Sequence, residues 1–299
     1  MSVEPKSVSS VERESVKSAE RSTRSDAPHA PRSHAPRSHA LRTIFALCCV
    51  AIKELYRRKD FYVLFVLTAV VTLLAGSISI FDDPKIVRYL KEICLLLIWV
   101  SALVIAIVTT ARQIPAEREN RTIFPLLAKP VTRGQFIMGK FLGCWVATGL
   151  ALVMFYLFFG VVSGAREHHW PGGIYFQALW MQWMLLAIVI ALVLFGSIVF
   201  TAPSSNATIS FIVVVGILLL GRHLRVIGLR EPEPLNTVIS TVYFLIPHLE
   251  WYDLREFITF NQPLVPWVDC AMATLYAGVY TALLLLAAWL VFRRKTLTL

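Results

Sequence analysis

Six apolar runs, each close to the length of helix needed to cross a lipid bilayer, restrict what this chain can fold into more than any other feature. They are residues 61–80, 93–111, 141–162, 174–200, 207–220 and 268–292, and Asp269 is the one charged side chain among them. A hydrocarbon core about 30 Å thick takes roughly 20 residues of helix, and a backbone facing lipid must satisfy its own N–H and C=O groups. An all-α membrane protein with six transmembrane helices is therefore expected. The fifth run is short for a crossing unless it extends through Gly221 toward Ile227. With 57% hydrophobic and 16% charged residues, the chain departs from soluble domains, which are about half apolar and about a quarter charged.

Between the second and third runs lies a long polar interruption, residues 112–140, reading RQIPAERENRTIFPLLAKPVTRGQFIMGK. Pro115 suits a first helical position, where its missing N–H costs nothing, and Glu117 and Glu119 would then lie where the helix dipole favours acids. A short helix is expected to start there. Pro125 lacks the donor for the carbonyl of Arg121, so this helix should kink or stop near Phe124, and Lys129-Pro130 ends any continuation. Thr132 and Gln135 have the spacing of a capping box, which predicts a new helix running into Phe141 and the third span.

Within this interruption, ERENRTIFPLLAKPVTRGQFIMGKFLG resembles the cytoplasmic loop of ABC-2 type transporter permeases, with its acidic-Gly-Thr, Leu-Leu, Pro-Val-x-Arg and Gly-Lys pattern. Glu119, Thr122, Leu126, Leu127, Pro130, Val131, Arg133, Gly139 and Lys140 match it. Arg121 stands where many members have Gly, and Pro125 interrupts the usual helix. The resemblance implies a coupling helix seated in a groove of a separate ABC ATPase subunit. Its docking residues would be Glu117, Arg118, Glu119, Thr122, Leu126, Leu127, Lys129, Pro130 and Arg133, with Thr132 and Gln135 capping the next helix. It also implies a second permease, making a homodimer or heterodimer, and ATP and Mg bound by the partner ATPase. The plainer alternative is an ordinary basic cytoplasmic loop.

Residues 1–40 are rich in Ser, Arg, Glu, Pro and His, with HAPRS repeated at 29–33 and 34–38. This composition cannot bury enough apolar surface to repay ordering, so a disordered cytoplasmic tail is expected. It has no apolar run of the kind a signal peptide carries. From 41 to 60, Leu41, Ile44, Phe45, Cys48, Ile52, Leu55 and Tyr56 recur at helical spacing against Arg42, Lys53, Arg57 and Arg58. An amphipathic helix in the membrane interface is the reading, an elbow before the first span, with a plain start to that span as the alternative. In the last long loop, Leu235, Val238, Ile239, Val242 and Ile246 form an apolar face ended by Pro247. Asp253 and Glu256 open a second short helix with Leu254, Phe257 and Ile258. These pieces are either re-entrant, as in the resembling family, or surface helices on the leaflet. Residues 61–299 together would form the transmembrane domain.

The net charge of +10 does not point to nucleic acid, because the basic residues gather at the ends of apolar runs, where they suit anionic lipid. Lys and Arg are denser around 42–59, 112–140 and 293–295 than around 85–91, 166 and 222–255, which places both termini in the cytoplasm. A multi-pass protein of a bacterial-type inner membrane is expected. No ionisable group lies in the middle of a span, as an ion-coupled carrier would need. No GxxxxGK[ST] loop is present either, so the chain is not expected to be an enzyme or to bind a cofactor itself. Five cysteines without metal spacing read as reduced thiols, and His168 and His169 beside Glu167 read as part of an interfacial turn through Trp170-Pro171-Gly172-Gly173. Gly139 with Gly143, Gly160 with Gly164 and Ala273 with Ala277 would allow close helix packing. The function expected is the permease of an ATP-driven exporter. A membrane scaffold that recruits a cytoplasmic protein is the rival, and a passive channel is disfavoured because no polar stripe lines a span.

Overall fold

Hydrophobicity on every side of a helix means burial on every side, and residues 174–200 have it. In the computed structural model they form the helix at the centre of the bundle. The structure describes residues 45–46, 48–50, 52–53, 57, 59–77, 84–119, 132–167, 172–228, 241, 243, 246–260 and 262–294. Among these there is helix and no strand. In order the elements are α1 (Lys59–Ser77), α2 (Pro84–Glu119), α3 (Arg133–Glu167), α4 (Gly172–Val199), α5 (Pro203–Gly228), a 3-10 turn (Leu249–Tyr252), α6 (Arg255–Thr259) and α7 (Trp267–Arg294). Contacts divide the chain into Met1–Arg37 and Ser38–Leu299, and every described residue lies in the second unit.

Helix α4 touches α2, α3, α5 and α7. Of its most apolar 18 residues 78% are buried, against 22% for α5 at the margin. Helix α1 packs on α2 and α3 through Thr68, whose hydroxyl lies 3.3 Å from that of Ser101, and through Phe65, whose ring is 5.5 Å from that of Phe155. The outer faces remain apolar: Val268, Met272, Leu275, Val279, Leu283, Leu286 and Leu290 form an exposed stripe down α7. In a membrane that stripe meets lipid rather than water.

Five described helices are long and apolar enough to cross a membrane, over Arg88–Pro115, Arg133–Ala165, Gly172–Val199, Pro203–Gly221 and Trp267–Arg294. The fifth expected span is thus among them, lengthened at its start because Pro203 is suited to open a helix. The first is not: its apolar helical stretch is the shorter Tyr62–Leu74. Of the expected elbow, residues 45–46, 48–50 and 52–53 have helical backbone, and the rest of it falls largely outside the described residues. The tail 1–40 and residues 229–240 also lie outside them. Gly172 and Gly173, expected in a turn, instead begin α4; each gains an α-helical partner one turn on, and their neighbours 168–171 are not described.

The antiparallel path brings two sets of helix ends together. The ends of α2 and α7 and the starts of α3 and α5 form one end of the bundle. At the other, the 3-10 turn packs on α4 and α5, and α6 on α2 and α4. Leu249, Tyr252, Leu254 and Ile258 are buried there, so these short pieces are tucked into the bundle. Asp253 and Arg255 form a two-pronged ion pair (2.8 and 2.7 Å), with the guanidinium 4.9 Å from the Trp99 ring centre. Gln177 pairs both ways with the backbone of Val265, at 2.9 and 3.1 Å. Desolvation among the rings of Tyr243, Trp251 and Tyr276 holds His248 below its ordinary value, against the opposing charge of Glu250.

Candidate functional site

Pro115 does not start a helix. It lies inside α2, which runs unbroken from Pro84 to Glu119. The sequence expectation is corrected here by a tertiary contact. Proline at 115 leaves the carbonyl of Ala111 without its usual donor, and Asn206 of α5 supplies one: its Nδ2 donates to Ala111 O at 3.4 Å. The same amide donates to Val193 O on α4 at 3.2 Å, while Ser210 Oγ, 3.2 Å from Oδ1, sets its orientation. Gly196 on α4 makes room, because a Cβ there would overlap Asn206 Oδ1.

Two residues before the proline, Gln113 faces α3. Its Oε1 accepts from Lys140 Nζ at 2.9 Å; Gln113 is 3% and Lys140 2% exposed. A lysine this deep is tolerated because its stem lies in the apolar packing and its head has an acceptor. The Lys140 head also lies 6.0 Å from the centre of the Phe136 ring, and Phe136 stacks on Phe292 of α7 at 6.2 Å.

Helix α3 starts with a reciprocal pair of side-chain caps. Thr132 Oγ1 accepts from the Gln135 N–H at 3.3 Å, and Gln135 Oε1 accepts from the Thr132 N–H at 3.1 Å. Arg133 turns the other way, donating from Nη1 to the carbonyls of Phe292 (2.8 Å) and Arg293 (3.0 Å), with its guanidinium 5.4 Å from the Phe292 ring centre. A cation here meets both the orphan carbonyls and the negative end of the α7 dipole.

The four helix ends are thus tied in series: α5 to α2 through Asn206, α2 to α3 through Gln113 and Lys140, and α3 to α7 through Phe136 and Arg133. Residues 120–131 connect the two helix ends in the middle of this series. Of the sequence-predicted docking residues, Glu117, Arg118 and Glu119 lie on the last turn of α2. Thr122, Leu126, Leu127, Lys129 and Pro130 fall outside the described residues. Arg133 is occupied by α7. Sequence reasoning passed over Gln113, Gly196, Asn206 and Ser210. A signal for Asn206 did exist: a proline at the end of an apolar helix implies a carbonyl needing a donor, and Asn206 is an amide at the edge of a later span.

A family model, described as ABC-2 family transporter protein, matches residues 8–297 of the chain. The chain belongs to the ABC-2 transporter family. Among the curated proteins none matches it. As an ABC-2 permease it is a multi-pass membrane protein that works in an ABC transporter, and the family's ATP hydrolysis is carried out by a partner ATPase subunit. Its five long apolar helices agree with that membership.

Proposed function

We propose that the chain is the permease of an exporter and that it binds its ATPase through residues 112–140 on the cytoplasmic side. Two permeases, identical or not, would frame the pathway, with two ATPases below them and ATP and Mg held there. ATP-driven closure of the ATPases would be passed through the docking segment to the helices, giving alternating access. The observation that carries this reading is the serial tie described above: a segment that must transmit force is anchored at both ends to buried side chains on four helices. A loop that only tethered a protein would need no such anchorage. Export and the bacterial-type inner membrane are what the resemblance of this loop implies, and both termini inside is what the distribution of Lys and Arg favours.

Glu119→Lys tests the reading. Truncating a buried charged contact at a protein interface costs about 2–5 kcal/mol, so the ATPase should be lost from the purified complex while the permease stays monodisperse. Permease-dependent ATP hydrolysis should fall with it. Retention of the ATPase with normal hydrolysis would rule out docking through Glu119, and retention without any permease-dependent hydrolysis in the wild type would favour the scaffold.

A further inference from the structure

Helix α2 is short of hydrogen bonds at one turn, just before Glu117, Arg118 and Glu119, the first of the expected docking residues. Pro115 offers no N–H to Ala111, and Ala111 is 0% exposed, so water cannot serve its carbonyl. Next to it Thr110 is also 0% exposed, and its hydroxyl has no hydrogen-bond partner among the described residues. Asn206 Nδ2 does reach Ala111 O, but at 3.4 Å and while shared with Val193 O at 3.2 Å. A long, shared hydrogen bond is weaker than the backbone bond it replaces.

We propose that Asn206 is a positioning residue for transport: its amide replaces the N–H missing at Pro115, which makes that turn a hinge linking α2 to α4 and α5. The proposal rests on the docking reading of residues 112–140. Beyond the hinge, residues 116–119 run into the connection 120–131; before it, α2 is embedded in the bundle. Displacement of the docking segment would bend α2 where no backbone bond has to break. Because the Asn206 amide joins Ala111 to Val193, the bend draws on α4 and α5 directly. An ordinary interhelical amide would hold two intact helices together. This one sits on the carbonyl that the proline has orphaned, and its pocket depends on Gly196 having no side chain.

The test compares wild type, Asn206→Leu, Pro115→Ala and the double variant of the full chain in lipid nanodiscs, alone and with the ATPase that co-purifies with it. In the permease alone, Asn206→Leu should speed amide exchange of residues 112–119 about ten-fold, as expected when a local opening loses a bond. Adding Pro115→Ala should return exchange to the wild-type rate, since residue 115 then has its own N–H for Ala111. In the complex, Pro115→Ala and the double variant should keep the ATPase bound yet lose most of the permease-dependent hydrolysis, because a continuous helix no longer bends. If Pro115→Ala fails to rescue exchange in the Asn206→Leu background, the replacement is wrong. If the stiffened variants hydrolyse ATP normally in a complex that the wild type also forms, the hinge is wrong. If the wild type holds no ATPase, the docking reading fails, and the exchange arm still decides the Asn206 and Pro115 relation. Should Asn206→Leu not insert, Ser210→Ala, which frees the amide from the hydroxyl that orients it, must show the same rescue by Pro115→Ala or the proposal falls.

Discussion

At Gly149 the ring of Trp183 occupies the space a Cβ would need. That allows α3 and α4 to come together around two tryptophans, whose rings stack with centres 4.6 Å apart. Each indole serves the other's backbone: Trp145 Nε1 donates to Trp183 O at 3.2 Å, and Trp183 Nε1 donates to Trp145 O at 3.1 Å. Both polar tips are thereby satisfied within the pair. Gly149→Ala should lower stability by about 1–3 kcal/mol through overpacking. Gly160→Ala is the control: its Cβ would meet nothing within 4 Å, and it should be neutral or stabilise by up to about 1 kcal/mol. Thermal unfolding in one detergent, followed by tryptophan fluorescence, compares them, and equal midpoints would refute the packing argument. From sequence both tryptophans read only as large residues in spans. Nothing local to 145 or 183 says that the two meet.

Among elements, α3 is the clearest example of what is legible locally and what is not. Its starting pair, Thr132 with Gln135, is readable because both partners lie within one turn. Arg133 between them is not, because its carbonyl acceptors belong to Phe292 and Arg293 at the far end of the chain. The resemblance implies that Arg133 docks an ATPase, and in the structure its guanidinium is held by the end of α7. Thr132→Ala should cost about 1 kcal/mol and Thr132→Ser almost none. Arg133→Ala should cost more, about 1.5–3 kcal/mol, for hydrogen bonds made by a charged group. Unfolding midpoints of the isolated permease check all three; an Arg133→Ala midpoint equal to wild type would mean that the contact with α7 contributes nothing to folding. In α2 the local signal was misleading rather than missing. Pro115 followed by acids has the composition of a helix start, and only the amide of Asn206 on α5 makes it tenable inside a longer helix.

For the whole molecule, the side of the membrane on which each helix end lies can be measured with single cysteines in a version lacking the native thiols. Arg112→Cys and Arg294→Cys, both exposed at the end where α2 stops and α3 starts, should react with an impermeant reagent only after the membrane is opened. Gly172→Cys and Gln262→Cys, exposed at the other end, should react from outside. Ser7→Cys then reports on α1: protection from outside means that the helix containing Tyr62–Leu74 completes a sixth crossing, and labelling from outside means that it does not. Membrane residence, helical class and the positions of the five long helices were determined by sequence alone, because apolar length is a one-dimensional property that the bilayer itself reads. The family resemblance was also there, in a polar loop whose residues follow one another. Only the tertiary structure decided which helix is central, how Pro115 is accommodated, and that Asn206, Lys140 and Arg133 bind the helix ends together. Those depend on partners 27 to 160 residues away, and a hydrogen bond over that separation leaves no periodicity in the chain that makes it.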